Sequence, residues 1–307
     1  MADCGYSAVV QDRLVWVFGD TMLKIRNAED GSMLCNSWAY TYDFDAGDGL
    51  DGFQVQVDEV GAPTTFIPLT LEEQEYHSEH LSKNCKTESC NSRWAIWPGS
   101  IVEDKYREIA YVFYHKVLVN PGVLNFNHVG HSIAVWRKFS DPVERPIFGY
   151  YEDYPTMFFV GEHDGYGSAT LIADNQLYVF GCELRSDDSS KPCRLARVPL
   201  SDILDKSAWR FYAEGGIWSS KPEDAEEIFQ GNNMMSVFYS DYLERYIVIY
   251  SQPMGATAMF RSASHPEGPW SNPKEIFSVE RANSSLGWIY DFLAHPELSQ
   301  DGGRVIY

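Results

Sequence analysis

The fold is decided by one stretch, Asp3-Cys-Gly-Tyr-Ser-Ala-Val-Val-Gln-Asp-Arg-Leu-Val-Trp-Val-Phe-Gly-Asp20, in which two short apolar segments are separated by turn residues. Residues 6–10 are small and β-branched, residues 11–13 are typical of a tight turn, and residues 14–18 are apolar with a high strand propensity. This pattern predicts a β-hairpin. Because a hairpin returns the chain to the side that it left, Asp3 and Asp20 are expected to face each other near one end of a sheet.

The plan of this hairpin recurs along the whole chain. Each copy has a first strand of small or apolar residues, an acidic turn and a second apolar strand, and a third strand follows most copies. Repeats of about four strands predict an all-β fold, a five-bladed β-propeller forming a single domain over residues 1–307, with a fifth blade short of its outer strands. Polar helical turns are expected at 71–82 and 222–228. The hairpin copies cover residues 6–18, 100–114, 168–181, 236–250 and 292–307.

The chain is strongly acidic, with 44 acidic and 24 basic residues and a formal charge of −20. The negative electrostatic field of such a chain repels phosphate backbones and anionic lipid surfaces, which argues against nucleic acid and membranes as partners. No apolar run has the length needed to cross a bilayer, and the first residues lack the basic start and apolar middle of a signal peptide. We therefore expect no membrane insertion, and we expect a monomer.

The six cysteines permit disulfides. Cys182 and Cys193 flank a polar loop between two predicted strands, so a bridge across this hairpin is expected, and Cys85 and Cys90 are spaced to close a small loop. The alternative is a set of reduced, half-buried thiols. The spacing of Cys85 and Cys90, with no second pair like it, is weak support for zinc, and we predict no metal site from these residues.

The residues just before each hairpin copy are expected to lie together. In a propeller the innermost strand of each blade starts near the central channel, so these residues converge on one face. Several carry carboxyl or amide groups, and like charges brought together cost free energy unless a cation, a proton or a substrate offsets them. The pattern therefore indicates a functional site. The residues are Asp3, Trp94, Trp97, Glu162, His163, Asp164, Asn232, Asn233, Tyr290 and Asp291.

Glycoside cleavage requires two carboxyl groups in different protonation states. One donates a proton to the leaving oxygen, while the other is ionised and either attacks the anomeric carbon or activates water. Asp3 and Asp20 are the candidates for these roles. Aromatic side chains, 15% of the residues, can hold sugar faces, although β-sheets also favour aromatic residues for packing alone. The expected substrate-binding residues are Asn36, Trp38, Trp97, Asp164, Asn232 and Asp291.

Several short motifs occur in a fixed order: Asp3-Cys-Gly-Tyr-Ser7 with Phe18-Gly-Asp-Thr21, Gly165-Tyr-Gly-Ser168 with Tyr178-Val-Phe-Gly181, and Met259-Phe-Arg-Ser262. Together they resemble the five-bladed β-propeller family of bacterial endo-D-arabinanases, first catalogued as a domain of unknown function. The resemblance implies hydrolysis of α-linked D-arabinofuranose polymers by two aspartates that match Asp3 and Asp20. By similarity Asp3 is the nucleophile and Asp20 the general acid/base, which gives retention of configuration. An exchange of these roles and an inverting mechanism stay open.

The predicted fold also resembles the larger arabinanase and xylosidase propellers, which use three acidic residues and often hold a central ion. This resemblance implies Asp164 or Asp291 as a third acid. We expect that no cofactor is required. A structural calcium or sodium ion in the central channel stays open, if His131 and its neighbours point into the channel. A polymeric substrate and the six cysteines indicate a secreted or cell-surface protein. The alternative function is a propeller that binds a glycan or a protein without cleaving it.

Overall fold

The computed structural model consists of antiparallel sheets, one α-helix and short 3-10 turns over the residues that it describes, which confirms the all-β prediction. Those residues are 2–161, 165–183, 190–253, 255–280, 291–299, 302 and 304–307. The chain divides into a first unit, Met1–Tyr42 with Gly52–His163, and a second unit, Asp43–Asp51 with Asp164–Tyr307. The expected single domain over the whole chain stays a prediction.

The first unit contains the predicted hairpins at residues 6–18 and 100–114. Its strands are β1 (Tyr6–Val10), β2 (Arg13–Phe18), β3 (Thr21–Met22), β4 (Met33–Leu34), β5 (Ser37–Thr41), β6 (Arg93–Asp104), β7 (Ile109–Val119), β8 (Phe126–Trp136) and β9 (Phe159–Val160). Gln11 and Asp12 join β1 to β2 with φ angles of 48° and 61°, a backbone twist that suits a two-residue hairpin. One sheet has the order β1-β2-β5 and another the order β6-β7-β8-β9, while β3 and β4 form a separate ribbon.

The second unit contains the predicted hairpins at residues 168–181 and 236–250. Its strands are β10 (Tyr166–Ala173), β11 (Gln176–Cys182), β12 (Pro192–Pro199), β13 (Arg210–Ala213), β14 (Ile217–Ser219), β15 (Phe229–Gln230), β16 (Met235–Ser240), β17 (Arg245–Ser251), β18 (Thr257–Ala263) and β19 (Lys274–Ser278). One sheet has the order β10-β11-β12-β13-β14, with β15 also paired to β12, and the other has the order β16-β17-β18-β19. The two units together provide four sheets with the antiparallel meander of a propeller blade.

The predicted fifth hairpin is not seen in the part of residues 292–307 that the structure describes. A 3-10 turn spans Pro296–Leu298 instead, since a proline has no N–H to give to a strand ladder. The neighbouring Ala294 exchanges hydrogen bonds with the Ser236 hydroxyl on β16, with distances of 2.9 Å each. The segment therefore packs on the fourth blade, and the count of five blades stays a prediction.

The predicted polar helix at 71–82 is confirmed as α1 (Leu71–His80). Thr70 caps its N-terminus, and the Glu73 side chain accepts a hydrogen bond from the Thr70 N–H at 2.9 Å, which completes a capping box. The second expected helix, at 222–228, is reduced to one 3-10 turn, Pro222–Asp224. The His77 Nε2 atom of α1 accepts a hydrogen bond from the Trp94 N–H at 2.8 Å, which fixes the helix against β6.

Both predicted disulfides are present. Cys182 and Cys193 lie directly opposite each other on β11 and β12 and are bonded, and Cys85 is bonded to Cys90. Cys4 and Cys35 are not part of a disulfide. The first bridge closes the hairpin loop at the end where β12 begins, so it fixes the position of the residues that precede this strand.

Candidate active site

Asp3 and Asp20 lie side by side at the open end of the first hairpin. The Asp3 N–H donates to the Asp20 carbonyl at 3.0 Å, and the Gly19 N–H donates to the Asp3 carbonyl at 2.8 Å. These bonds extend the pairing of β1 and β2 toward the N-terminus. A Cβ atom at Gly19 would lie 3.2 Å from the Cys4 Sγ atom, so a glycine suits this close approach.

Two side chains from β6 reach the Asp20 carboxyl group. The Trp97 Nε1–H donates to Oδ1 at 3.1 Å, and the Arg93 Nη2 atom lies 3.4 Å from Oδ2. Arg93 and Trp97 are four residues apart in a strand, where every second side chain points to the same face. The strand period therefore explains why both reach one acid.

Asp20 has a raised pKa. Burial is the main cause, and the negative charge of Asp3 acts in the same direction, whereas the Arg93 charge and the hydrogen bond from Trp97 act in the opposite one. The Asp20 side chain is 31% exposed and that of Arg93 20%, so both are accessible from solvent and partly desolvated. Asp20 is thus biased toward the protonated form next to a second carboxyl group.

The Asp3 carboxyl group is half-buried and is oriented by its own backbone. Its Oδ1 atom accepts a hydrogen bond from the Cys4 N–H at 2.8 Å. Cys4 has a φ angle of 63°, which turns the chain immediately after Asp3. This turn fixes the direction of the Asp3 side chain relative to the hairpin.

Trp97 is half-buried and has an exposed aromatic neighbour. The Phe126 ring at the start of β8 contacts the Trp97 ring edge-on, with centroids 5.1 Å apart, and Phe126 is 42% exposed. Together the rings make an aromatic surface next to Asp20. The role of Trp97 as a substrate contact stays a prediction.

Asn36 and Trp38 do not lie on such a surface, which corrects two expected substrate contacts. Asn36 is fully buried, and its amide bonds the backbone of residues 66, 67 and 96 at 2.8–3.2 Å. These contacts take both donors and both acceptor positions of the side chain. Trp38 is 6% exposed, and its ring packs against those of Phe66, Trp136 and Phe139. Both residues serve the core of the first unit.

The other expected substrate-binding residues belong to the second unit. Asp164 lies outside the described residues. Asn232 is 5% exposed, and its Oδ1 atom accepts a hydrogen bond from the Lys191 Nζ atom at 2.5 Å. Asp291 is half-buried and interacts electrostatically with Lys191. Asn232 therefore contacts Lys191, and the charge of Asp291 acts on the same lysine.

Three histidines lie on β7 and β8. The His115 Nδ1 and His128 Nε2 atoms are 3.0 Å apart, and His131 packs its ring against Phe159 with centroids 5.0 Å apart. Burial and the neighbouring His128 lower the pKa of His115 to about 3, so His115 is neutral at physiological pH. His131 itself is 2% exposed. The central calcium or sodium ion stays a prediction.

Sequence reasoning missed Arg93 and Lys191. Arg93 carries a usable signal, since it precedes Trp97 by an even number of positions in a segment with strand propensity. Lys191 carries none, because its position depends on a disulfide and on contacts with residues 41 and 100 positions further along the chain.

The fold and this site define an all-β chain of propeller-type blades with two adjacent half-buried aspartates. The chain belongs to the family described as Domain of unknown function (DUF4185), whose model matches residues 1–307. No curated protein matches the chain.

Among solved structures, a proposed hydrolase from Bacteroides ovatus ATCC 8483 is similar over 98% of this chain and 77% of its own, with a TM-score of 0.61 and 17% identity. The xylose complex of the GH43_1 enzyme from Xanthomonas citri is similar over 96% and 78%, with a TM-score of 0.49 and 14% identity. The endo-arabinase from Bacteroides thetaiotaomicron VPI-5482 is similar over 91% and 82%, with a TM-score of 0.46 and 11% identity. The first similarity supports the fold. Within the described residues, no helix combines the length and apolar character needed to span a membrane.

Proposed function

We propose that this chain is a glycoside hydrolase that cleaves furanoside polysaccharides, of the endo-D-arabinanase type, with Asp20 as general acid/base and Asp3 as nucleophile. The observation that carries the proposal is the state of Asp20, a half-buried carboxyl group whose pKa is raised next to a second carboxyl group. Glycoside cleavage needs one acid that keeps its proton near neutral pH and a partner that does not.

In this mechanism Asp20 gives its proton to the glycosidic oxygen as the bond to the anomeric carbon breaks. Asp3 attacks that carbon and forms a glycosyl ester. Asp20, now ionised, takes a proton from water, and the resulting hydroxide displaces Asp3, so the anomeric configuration is retained. Trp97 donates to Oδ1 of Asp20 and Arg93 lies beside Oδ2, so both side chains stabilise the carboxylate that is left after the proton has moved.

The choice of substrate is supported by the motifs around Asp3 and Asp20, which resemble those of endo-D-arabinanases. The fold that this chain shares with a proposed hydrolase from Bacteroides ovatus is compatible with hydrolysis. A polysaccharide substrate also fits the aromatic surface of Trp97 and Phe126, since sugar faces pack on such rings. We further propose that the protein acts as a monomer in a secreted or cell-surface location, where such polymers occur.

The test compares product release from D-arabinan, L-arabinan and xylan by wild type, Asp20→Asn and Asp3→Asn. Asp12→Asn is the matched control, because Asp12 lies in the turn of the same hairpin with a φ angle that asparagine also adopts. We expect oligosaccharides from D-arabinan, a loss of at least about a hundredfold for the Asp20 and Asp3 variants, and full activity for Asp12→Asn. Full activity of Asp20→Asn would remove it from the acid/base role.

The assignment of roles has its own measurement. An aryl arabinofuranoside with a good leaving group needs little acid assistance, so Asp20→Asn should cleave it far better than the polymer, whereas Asp3→Asn should not. Proton NMR of the first product distinguishes retention from inversion. Tight binding of arabinan without turnover by wild type would favour the non-catalytic binding protein instead.

A further inference from the structure

We propose that His77 of α1 is a positioning residue of the candidate active site, which holds the start of β6 while its imidazole is neutral and releases it when the imidazole is protonated. The strand end that is released carries Arg93, which contacts Asp20. This inference rests on the proposed function, because it assigns a pH-dependent control to the same site. The protonation and the hydrogen bond of His77 can nevertheless be measured without a substrate.

The hydrogen bond of His77 determines its protonation state. The Nε2 atom accepts a hydrogen bond from the Trp94 N–H at 2.8 Å. A backbone N–H can only donate, so Nε2 must present its lone pair, and the proton of the neutral ring is on Nδ1. In the protonated ring both nitrogen atoms are donors, so Nε2–H would oppose the Trp94 N–H. His77 therefore holds Trp94 only in the neutral form.

The position of β6 in its sheet explains why this bond matters. The sheet order β6-β7-β8-β9 places β6 at one edge, and an edge strand presents N–H groups that its own sheet does not bond. The Trp94 N–H finds its acceptor on α1 instead. The helix has a second attachment, since Glu73 binds Lys116 of β7 and Arg145. Loss of the His77 bond therefore leaves α1 in place and frees the edge of β6 locally.

The released segment includes a partner of Asp20. Arg93 directly precedes Trp94, and its Nη2 atom lies 3.4 Å from Oδ2 of Asp20. This distance is long for an ion pair, so a small displacement of the strand weakens the contact. The Arg93 charge lowers the pKa of Asp20. Release of the Trp94 N–H therefore raises the pKa of Asp20 and favours its protonated form.

The surroundings of His77 place its titration on the acidic side of neutral pH. Burial lowers the pKa of His77 below its usual value of 6.5, and the positive charges of Arg93 on β6 and His80 on α1 act in the same direction. The negative charge of Glu73 on α1 opposes them. Because the folded-state pKa is the lower one, the stabilisation by this contact is complete above pH 6.5 and is lost as the pH falls through the folded-state pKa.

The direct test follows deuterium exchange of the Trp94 amide proton by NMR between pH 7.5 and 4.5, relative to the intrinsic exchange rate at each pH. In the wild type we expect the protection to fall roughly tenfold toward the acidic end, as for one lost hydrogen bond. His77→Gln should keep the protection at every pH, because its amide oxygen accepts the same bond and does not titrate. His80→Gln is the matched control on the same helix and should show the wild-type fall. A protection independent of pH in the wild type, or an equal fall in His77→Gln, overturns the inference.

The effect on Asp20 is measured by the NMR titration of its carboxyl carbon and by the pH profile of kcat/KM on D-arabinan. His77→Leu removes the acceptor at every pH, so it should raise the pKa of Asp20 and move the basic limb of the profile to higher pH. An unchanged Asp20 titration in His77→Leu refutes the link to the site. If His77→Leu does not fold, the amide exchange of wild type and His77→Gln still decides the role of His77. A raised pKa of Asp20 in His77→Leu, with no product from any arabinan in the wild type, would support the positioning role and refute hydrolysis.

Discussion

The clearest quantitative prediction concerns Glu73, the buried acid at the start of α1. Its carboxyl group lies between two cations: Arg145 Nη1 is 2.5 Å from Oε2, and Lys116 Nζ is 2.8 Å from Oε1. The side chains of Glu73 and Arg145 are each 3% exposed and that of Lys116 is 8% exposed. Substitution Glu73→Gln keeps the size of the side chain and removes the charge.

The expected loss follows from the pKa of Glu73. Burial alone would raise it, but hydrogen bonds and charges from Arg145 and Lys116 outweigh burial and lower it from 4.5 to about 2. Each pKa unit corresponds to about 1.4 kcal/mol, so the folded state gains about 3 kcal/mol from the ionised group at pH 7. Because the folded-state pKa is the lower one, this contribution is complete above pH 4.5 and disappears as the pH falls toward 2. Glu73→Gln should therefore lose about 3 kcal/mol of unfolding free energy at neutral pH.

The assay is urea unfolding followed by circular dichroism and tryptophan fluorescence at pH 7, 5 and 2.5. The matched control is Glu75→Gln, because Glu75 is an exposed acid on the same helix and should change stability little. If the units unfold separately, hydrogen exchange of the α1 amides gives the same difference locally. The difference between wild type and Glu73→Gln should shrink strongly at pH 2.5. A difference independent of pH, or an equal loss for Glu75→Gln, would refute the ion-cluster reasoning.

Two further predictions concern the candidate site. Arg93→Met should raise the pKa of Asp20 further, because the Arg93 charge lowers this pKa in the wild type, and the basic limb of the pH profile of kcat/KM should therefore move to higher pH. The control is Arg137→Met, which replaces an exposed arginine after β8 and should leave the pH profile unchanged. A basic limb that does not move in Arg93→Met would contradict the contact between Arg93 and Asp20. Asn36→Asp should cost at least about 2 kcal/mol of unfolding free energy, because carboxylate oxygens would face the carbonyls of residues 67 and 96. The control Asn27→Asp keeps its hydrogen-bond acceptor in an open turn and should change stability little, and urea unfolding measures both variants. An increase in KM without a loss of stability in Asn36→Asp would restore Asn36 as a substrate contact.

The hairpins are predictable because their signal is local. β-branched and apolar runs separated by turn residues specify β1 with β2, β10 with β11 and β16 with β17 within a few positions. The adjacency of Asp3 and Asp20 follows from the same pairing, since residues that bracket a hairpin meet at its open end. The cross-strand disulfide is another local consequence, because Cys182 and Cys193 flank one hairpin loop.

The wrong assignments come from side chains whose surroundings are set by distant segments. Trp38 lies on β5, and its aromatic neighbours Trp136 and Phe139 come from about a hundred positions later, so burial cannot be read from the strand itself. The burial of Asn36 also depends on distant segments, because its amide forms hydrogen bonds with the loop at residues 66 and 67 and with the strand at residue 96. The described part of the fifth predicted hairpin contains a 3-10 turn in place of a strand, because Pro296 has no N–H to donate to a strand ladder.

The strand β6 connects the stability of the first unit to the protonation of Asp20. One face of β6 presents Arg93 and Trp97 to the acid. Trp94 lies between them in sequence, and its N–H is held by His77 of α1 while its ring covers the Lys116 ammonium at 4.3 Å. Lys116 is in turn bound to Glu73. The buried ion cluster under α1 therefore fixes the strand that carries both Asp20 partners, and the raised pKa of Asp20 depends on a backbone held from the opposite face.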